Sequence, residues 1–210
     1  MSIKKIGRKE REYLAHRGEI LSAAEKVFAE KGFFLTTMRE IAEAAEFGTG
    51  TLYNYFKSKE ELYLTLIDGK VEEINRLVKA GLSRKASAIE RVQKVLGLEF
   101  EFIEQNRDFF RIYISERNLF EWTVKSDLRR AIHDKMLVYT QLLARVMRQG
   151  IKEREFKPMD PMDLAYALVG IVRSFVFEWL INPQSHPLRS KAGAVLEIFL
   201  KGIQKIERRR

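Results

Sequence analysis

Apolar residues recur at every third or fourth position along almost the whole chain, and strict alternation by two is nearly absent. This spacing is the period of an amphipathic helix and not that of a strand. Ile20, Ala24 and Phe28, for example, fall on one face of a first helix. Only 4 prolines and 12 glycines interrupt the 210 residues, which favours long helices. The sequence therefore predicts an all-α fold.

Local signals predict where the helices begin and end. Gly32 is suited to a C-cap, and the pairs Thr37–Glu40 and Ser58–Glu61 have the spacing of capping boxes. Pro161 is suited to the first turn of a helix. The predicted helices cover approximately residues 16–31, 38–45, 49–56, 59–81, 86–105, 108–118, 126–153, 161–181 and 189–206.

The excess positive charge lies at the two ends of the chain. The formal net charge is +9, and residues 1–17 hold six basic and two acidic side chains, while residues 201–210 hold five and one. A basic N-terminal arm is suited to a phosphate backbone or another anionic surface. A solvated tail is the alternative, and we prefer it for the C-terminal end.

Several classes of protein are excluded or disfavoured. The chain has no cysteine, which excludes disulfides, thiol catalysis and zinc fingers. The histidines His16, His133 and His186 are far apart and show no metal-ligand or nucleophile spacing, so we expect no catalytic site, metal or cofactor. The most apolar run, 164–172, stops at Arg173, short of a membrane span, so a cytoplasmic protein is expected.

Two short helices at 38–45 and 49–56, separated by a tight break, have the pattern of a helix-turn-helix. The second helix of this motif can enter the major groove of DNA. Leu52 and Phe56 are expected to face inward. The other face carries the polar or amphipathic side chains and the glycine of this helix: Thr49, Gly50, Thr51, Tyr53, Asn54 and Tyr55.

These residues resemble the head of the TetR family of bacterial repressors. The resemblance covers about residues 16–66 and is carried by the stretches TTMREIAEAA (36–45) and GTLYNYFKSKEEL (50–62). The sequence departs from the family at the turn, where Glu46 and Phe47 replace the usual glycine and small aliphatic residue. A non-glycine residue costs free energy wherever the turn needs a positive φ.

The resemblance also implies roles for individual residues in DNA binding. Thr37, Tyr53 and Lys59 would contact phosphates, and Gly50 would offer its backbone N–H. Thr49, Thr51 and Asn54 would contact base edges. Two roles stay open: Arg39 would reach DNA or solvent, and Tyr55 would reach a phosphate or a thymine methyl group, or pack against the first helix.

The chain is expected to contain a basic arm at 1–15, a DNA-binding domain at 16–60 and a helical ligand-binding and dimerisation domain at 61–210, with the fourth helix shared by the last two. In the TetR family the last two helices form the dimer interface. The candidate residues here are Leu164, Leu168, Ile171, Phe175, Val195, Ile198 and Phe199. Each of them could instead belong to the core.

Aromatic residues are abundant in the middle helices. The resemblance implies an effector cavity there, with Phe109, Phe110, Tyr113, Trp122, Tyr139, Phe175 and Trp179 as candidates. Such a lining favours an apolar effector, either an acyl chain or an aromatic compound. A plain hydrophobic core is the alternative for each of these residues.

The sequence thus predicts a homodimeric transcriptional regulator, most simply a repressor, with double-stranded operator DNA and a small effector as its partners and no membrane association. A DNA-binding protein without a small ligand is the second hypothesis, and a helical-bundle enzyme is the third.

Overall fold

The computed structural model describes residues 7–81, 86–114, 126–182 and 186–203, which are almost entirely helical. The helices are α1 (Arg8–Lys31), α2 (Met38–Ala44), α3 (Thr49–Tyr55), α4 (Lys59–Gly81), α5 (Ala88–Gln105), α6 (107–114), α7 (Ser126–Lys152), α8 (Pro161–Ile181) and α9 (Ala192–Ile203). A short 3₁₀ helix, Leu188–Lys191, precedes α9. The all-α prediction is confirmed. The predicted helical residues 115–118 and 204–206 lie outside the described residues.

The described chain divides into two compact units. The first contains residues 7–67 and the described part of 108–129, and the second contains residues 68–107 and 130–203. The division therefore falls inside α4, which supplies residues to both units.

The first unit is built around residues that α1, α2, α3 and α4 bury completely. Ile20, Phe28, Ile41, Leu52 and Ile67 have no exposed surface. Burial of such side chains is the main source of stability in a unit of this size. In the same core, the rings of Phe28, Phe33 and Tyr63 lie 5.2–5.9 Å apart between centroids.

Two of the predicted helix caps have the expected geometry. Gly32 ends α1 at φ 79°, a conformation that glycine adopts without steric cost. Thr37 begins α2 with a complete capping box to Glu40. At α4 the side chain of Ser58 accepts from the backbone N–H of Glu61, but the Glu61 carboxylate accepts from the N–H of Lys57 instead of Ser58.

Helix α1 begins at Arg8, about two turns earlier than predicted. Residues 8–15 have no buried apolar stripe, so periodicity gives no signal for helix there. An exposed Arg8–Glu12 ion pair at spacing i,i+4 and the backbone bond from Arg11 N–H to Gly7 support this first turn. The predicted arm is thus helical from Arg8, whereas residues 1–6 lie outside the described residues.

The second unit packs α5 against α9 and α8 against α9. Ser87 and Glu90 form a capping box at the start of α5, and Asp160 caps α8 with Pro161 in its first turn. Phe156 lies so close to Gly150 that an added Cβ would meet its ring at 2.3 Å. Glycine is therefore required at position 150.

The apolar stretch of α8 extends further than the predicted run of residues 164–172. Arg173 does not end the apolar stretch, because the helix continues to Ile181 with few charged residues. By length and composition α8 could cross a bilayer, and it is the one such helix among the described residues. Core helices of soluble proteins can be equally long and apolar. In α8, 28% of the most apolar 18-residue stretch is buried within this chain.

The turn between α2 and α3 is a Schellman motif with glutamate at the position that usually holds glycine. Phe47 N–H donates to the carbonyl of Ala42, Glu46 N–H donates to that of Glu43, and Glu46 has φ 60°. A residue with a Cβ is strained in this conformation. The departure noted in the sequence therefore falls on the one residue of the turn with a positive φ.

We expect Glu46→Gly to raise the free energy of unfolding by about 1 kcal/mol, because glycine removes the steric cost of the left-handed conformation. Ala15→Gly is the control: Ala15 is exposed within α1, and glycine there should lower stability by about 1 kcal/mol. Urea denaturation measures both. A loss of stability in Glu46→Gly as large as that of the control would contradict the prediction.

Candidate DNA-binding site

Helix α3 has one completely buried anchor and an exposed polar face. Leu52 is fully buried, as is Phe56 immediately after the helix, which confirms that both face inward. Tyr55 is partly buried. The other residues of this helix that are predicted to contact DNA are exposed: Thr49, Gly50, Thr51, Tyr53 and Asn54. Tyr53 is 51% exposed, which leaves its ring accessible to a partner.

Tyr55 points back to α1 instead of outward. Its hydroxyl lies 3.0 Å from Nδ1 of His16, and its ring stacks on Tyr13 at 5.0 Å between centroids. The Tyr55 carbonyl accepts from Nη1 of Arg17 at 2.9 Å. These contacts favour the packing alternative for Tyr55 and assign it a positioning role. The early start of α1 supplies Tyr13, for which no sequence pattern predicted a contact with α3.

The start of α2 combines a cap with two exposed ion pairs. Glu40 accepts from the N–H and the hydroxyl of Thr37, both at 2.9 Å, and from Lys31 at 2.5 Å. The Lys31 bond, followed by those from Thr37, lowers the pKa of Glu40 to about 2. Arg39 pairs with Glu43 at 2.8 Å, and both side chains are exposed. Arg39 could therefore exchange this partner for a phosphate at little cost.

Lys59 binds three carbonyl groups of the segment between α1 and α2. Its Nζ donates to the carbonyls of Phe33, Phe34 and Thr36 at 2.9–3.0 Å and lies 4.8 Å from the centre of the Phe33 ring. An ammonium group has three N–H donors, so all of them are engaged. This geometry favours a positioning role for Lys59 over the predicted phosphate contact. No sequence signal identifies the three carbonyls.

The predicted effector-binding residues belong to different units. Phe109, Phe110 and Tyr113 lie in the first unit, where the rings of Phe110 and Tyr113 are within 6.2 Å of Phe109. The second unit holds Tyr139, Phe175 and Trp179. Trp122 lies outside the described residues.

Two polar side chains are buried together in the second unit. Glu99 of α5 faces Tyr139 of α7, and among the described residues neither the Glu99 Oε2 atom nor the Tyr139 hydroxyl has a partner in good hydrogen-bond geometry. Burial raises the pKa of Glu99 to about 7, and the nearby tyrosine hydroxyl offsets part of that rise. Burial, together with the Glu99 carboxylate, also raises the pKa of Tyr139.

The predicted dimer-interface residues are mostly core residues. Leu164, Leu168, Val195 and Phe199 are almost completely buried within the second unit, because they form the contact of α8 and α9 with their own protomer. Ile171 and Phe175 are partly exposed, and Ile198 is 52% exposed. Three further apolar side chains are exposed on α8: Tyr166, Phe177 and Ile181.

An open depression of about 490 Å³ lies between α4 and α7 within the second unit. None of the predicted aromatic residues that the structure describes lines it. Across the described part of the chain, no group of three or more histidine, aspartate or glutamate side chains is placed to hold a metal ion.

Comparison with known proteins identifies both parts of the chain. Residues 20–66 match the family described as bacterial regulatory proteins, tetR family, and residues 85–183 match the tetracyclin repressor-like C-terminal domain. The HTH-type transcriptional repressor KstR2 of Mycobacterium tuberculosis (strain H37Rv) is 32% identical over 156 residues, covering 74% of this chain and 76% of its own.

A second relative matches nearly the whole chain. The fatty acid metabolism regulator protein of Bacillus subtilis is 26% identical over 189 residues, covering 88% of this chain and 94% of its own. The crystal structure of FadR from Bacillus subtilis in complex with stearoyl-CoA superposes with a TM-score of 0.78 at 26% identity, covering 89% of this chain and 99% of that one.

We expect the stability of the protein to fall between pH 5 and pH 7 through Glu99. In the folded state the Glu99 carboxyl group keeps its proton up to about pH 7, whereas in the unfolded chain it releases the proton near its ordinary pKa of 4.5. Unfolding therefore releases a proton in this interval, and the free energy of unfolding decreases by up to about 3 kcal/mol as the pH rises.

Glu99→Gln should remove this decrease, which urea denaturation at pH 5 and pH 8 would measure. Glu101→Gln, which changes an exposed carboxylate on the same helix, should retain it. Equal pH dependence in the wild type and Glu99→Gln would show that Glu99 does not titrate as described.

Proposed function

Because the chain belongs to the TetR family of bacterial regulatory proteins, we propose that it is a ligand-responsive repressor that binds a near-palindromic operator as a homodimer. The observation that carries the proposal is the exposed polar face of α3, opposite the completely buried Leu52. This regulator would act in the cytoplasm, where its operator is accessible. Membership of a regulator family also agrees with the expectation that the chain has no catalytic site.

In the proposed complex α3 enters the major groove. Thr49, Thr51 and Asn54 contact base edges, because they are exposed and can both donate and accept hydrogen bonds. Tyr53 contacts a phosphate on the groove wall. Gly50 permits close approach of the backbone, since no atom lies within 4 Å of the position of an added Cβ.

At the edges of the groove, α2 would contact the DNA backbone. Arg39 exchanges its exposed partner Glu43 for a phosphate, and Thr37 approaches a phosphate while it caps the helix. Phosphate contacts of this kind fix the register of the protein on DNA, whereas the α3 side chains carry the sequence preference.

A symmetric dimer presents two recognition helices to half-sites one helical turn apart, about 34–36 Å. Exposed apolar residues of α8 and α9 support the dimer: Tyr166, Phe177, Ile181 and Ile198. These side chains are accessible for a partner protomer, in contrast to the buried Leu164, Leu168, Val195 and Phe199.

We propose an amphipathic effector of the acyl type, bound in the second unit. The complex of Bacillus subtilis FadR with stearoyl-CoA supports this class. The unpartnered polar atoms of Glu99 and Tyr139, within an apolar interior, offer hydrogen bonds to the polar group of such a molecule. Because α4 contributes residues to both units, an effector that displaces α4 would change the spacing of the recognition helices and weaken operator binding.

Tyr53→Phe should weaken operator binding about tenfold, because it removes one hydrogen bond to a charged phosphate and keeps the ring. Fluorescence anisotropy with an operator selected from random DNA would measure the change. Ser190→Ala, which removes an exposed hydroxyl group in the 3₁₀ helix of the second unit, is the control and should bind as the wild type does. If both variants bind like the wild type, Tyr53 does not contact the backbone.

Ile198→Glu should convert the dimer to a monomer, since it places a charge in the apolar interface. Sedimentation velocity would measure the mass in solution. Leu14→Glu introduces the same charge at an exposed leucine of α1 and should leave the dimer intact. A dimeric Ile198→Glu variant would place the interface elsewhere.

The effector is tested by adding acyl-CoA thioesters of increasing chain length to the protein–operator complex. Release of the operator, weakened by Tyr139→Phe, supports an acyl-type effector. An operator complex unaffected by every thioester argues against an acyl-type effector and favours the second hypothesis, a DNA-binding protein without a small-molecule ligand.

A further inference from the structure

The depression between α4 and α7 is lined by one face of each helix. Asp68, Glu72 and Asn75 come from α4, and Asp134, Lys135 and Val138 come from α7, each set at the spacing of one helical face. Its volume of about 490 Å³ lies in the range of small-molecule sites. Glu99 and Tyr139 do not line it, so the groove is distinct from the acyl-type site proposed above.

The charge of the groove is negative. Lys135 lies 2.5 Å from both carboxylate oxygens of Asp68, so these two charges compensate each other. Glu72 and Asp134 are exposed, and neither forms an ion pair or hydrogen bond with the part of the chain that the structure describes. Two carboxylates therefore remain uncompensated at the mouth of the groove. Such a field attracts cations and repels phosphates and carboxylates.

Asn75 provides an independent indication of a ligand. Its side chain is 93% buried yet lines the groove, and its Oδ1 atom has no hydrogen-bond partner among the described residues. A buried acceptor without a partner is unfavourable in a folded protein, and a bound donor would satisfy it. The unmatched groups of the groove are therefore all acceptors: the Asn75 amide oxygen and the carboxylates of Glu72 and Asp134.

We propose that the groove between α4 and α7 binds an organic cation that carries N–H donors, such as a primary ammonium group attached to a short carbon chain. The ammonium group donates to Asn75 Oδ1 and lies between the carboxylates of Glu72 and Asp134. The carbon chain follows Val71 and the half-exposed Val138. The site extends the chemistry of the protein beyond operator binding and beyond the acyl-type effector, and it requires neither.

Four ligands with the same eight-carbon chain test the proposal by isothermal titration calorimetry on the full chain. They are n-octylammonium, n-octyltrimethylammonium, 1-octanol and octanoate. Octylammonium should bind most tightly. The trimethyl compound keeps the charge but has no N–H, so it should bind about tenfold more weakly. Octanoate should bind most weakly, because the uncompensated carboxylates repel it.

Variants separate the contribution of the hydrogen bond to Asn75 from that of the two carboxylates, Glu72 and Asp134. Asn75→Leu should abolish the preference for octylammonium over octyltrimethylammonium while keeping the preference of both over octanoate. Glu72→Gln combined with Asp134→Asn should abolish the preference for octylammonium over 1-octanol. Glu73→Gln removes a carboxylate of α4 that does not line the groove and should bind octylammonium as the wild type does.

The proposal is overturned if octanoate binds as tightly as octylammonium, if no octyl compound binds, or if Glu73→Gln weakens octylammonium binding as much as the double variant does. The titrations contain no DNA, so these outcomes leave the proposed operator binding untouched. Thermal unfolding of each variant checks that the fold is retained.

Discussion

The shortness of α3 is the constraint on which the DNA-binding unit depends. A helix of seven residues is unstable alone, because nucleating a helix costs free energy and a short helix forms too few hydrogen bonds to offset that cost. Its conformation therefore comes from tertiary contacts. Leu52 and Phe56 anchor the helix in the core, and His16 and Arg17 hold Tyr55 against α1. These contacts use one side of α3 and leave the polar side exposed.

The features of the structure that the sequence predicts well depend on interactions between residues that are close together in the chain. Gly32 and the Thr37–Glu40 capping box were predicted because a cap involves residues within one turn of each other. The start of α1 was predicted too late, since residues 8–15 bury no apolar stripe. The contacts of Lys59 were missed for a different reason. Its carbonyl partners lie more than twenty residues away and carry no side-chain signature.

The second unit shows the limit of reasoning from apolar stripes. Periodicity identified the apolar residues of α8 and α9 but not which of them face the protomer's own core. Leu164 and Val195 are buried, whereas Phe177 and Ile198 are exposed, although all four are apolar residues of these helices. Tertiary packing separates the two groups: α9 packs against α5 and α8, and the 3₁₀ helix packs against α8. Aromatic content likewise gives no indication of the unpartnered polar atoms at Asn75 and Glu99.

Net charge and local charge lead to opposite expectations for small ligands. A formal charge of +9, most of it in residues 1–17 and 201–210, favours the binding of anions to this chain. Screening limits this effect, however, because exposed charges more than about 8 Å apart interact weakly at physiological salt. The groove between α4 and α7 therefore responds to the side chains that line it, of which Glu72 and Asp134 are uncompensated. The two proposed sites therefore have opposite preferences: the helix-turn-helix for a polyanion and the groove of the second unit for a cation.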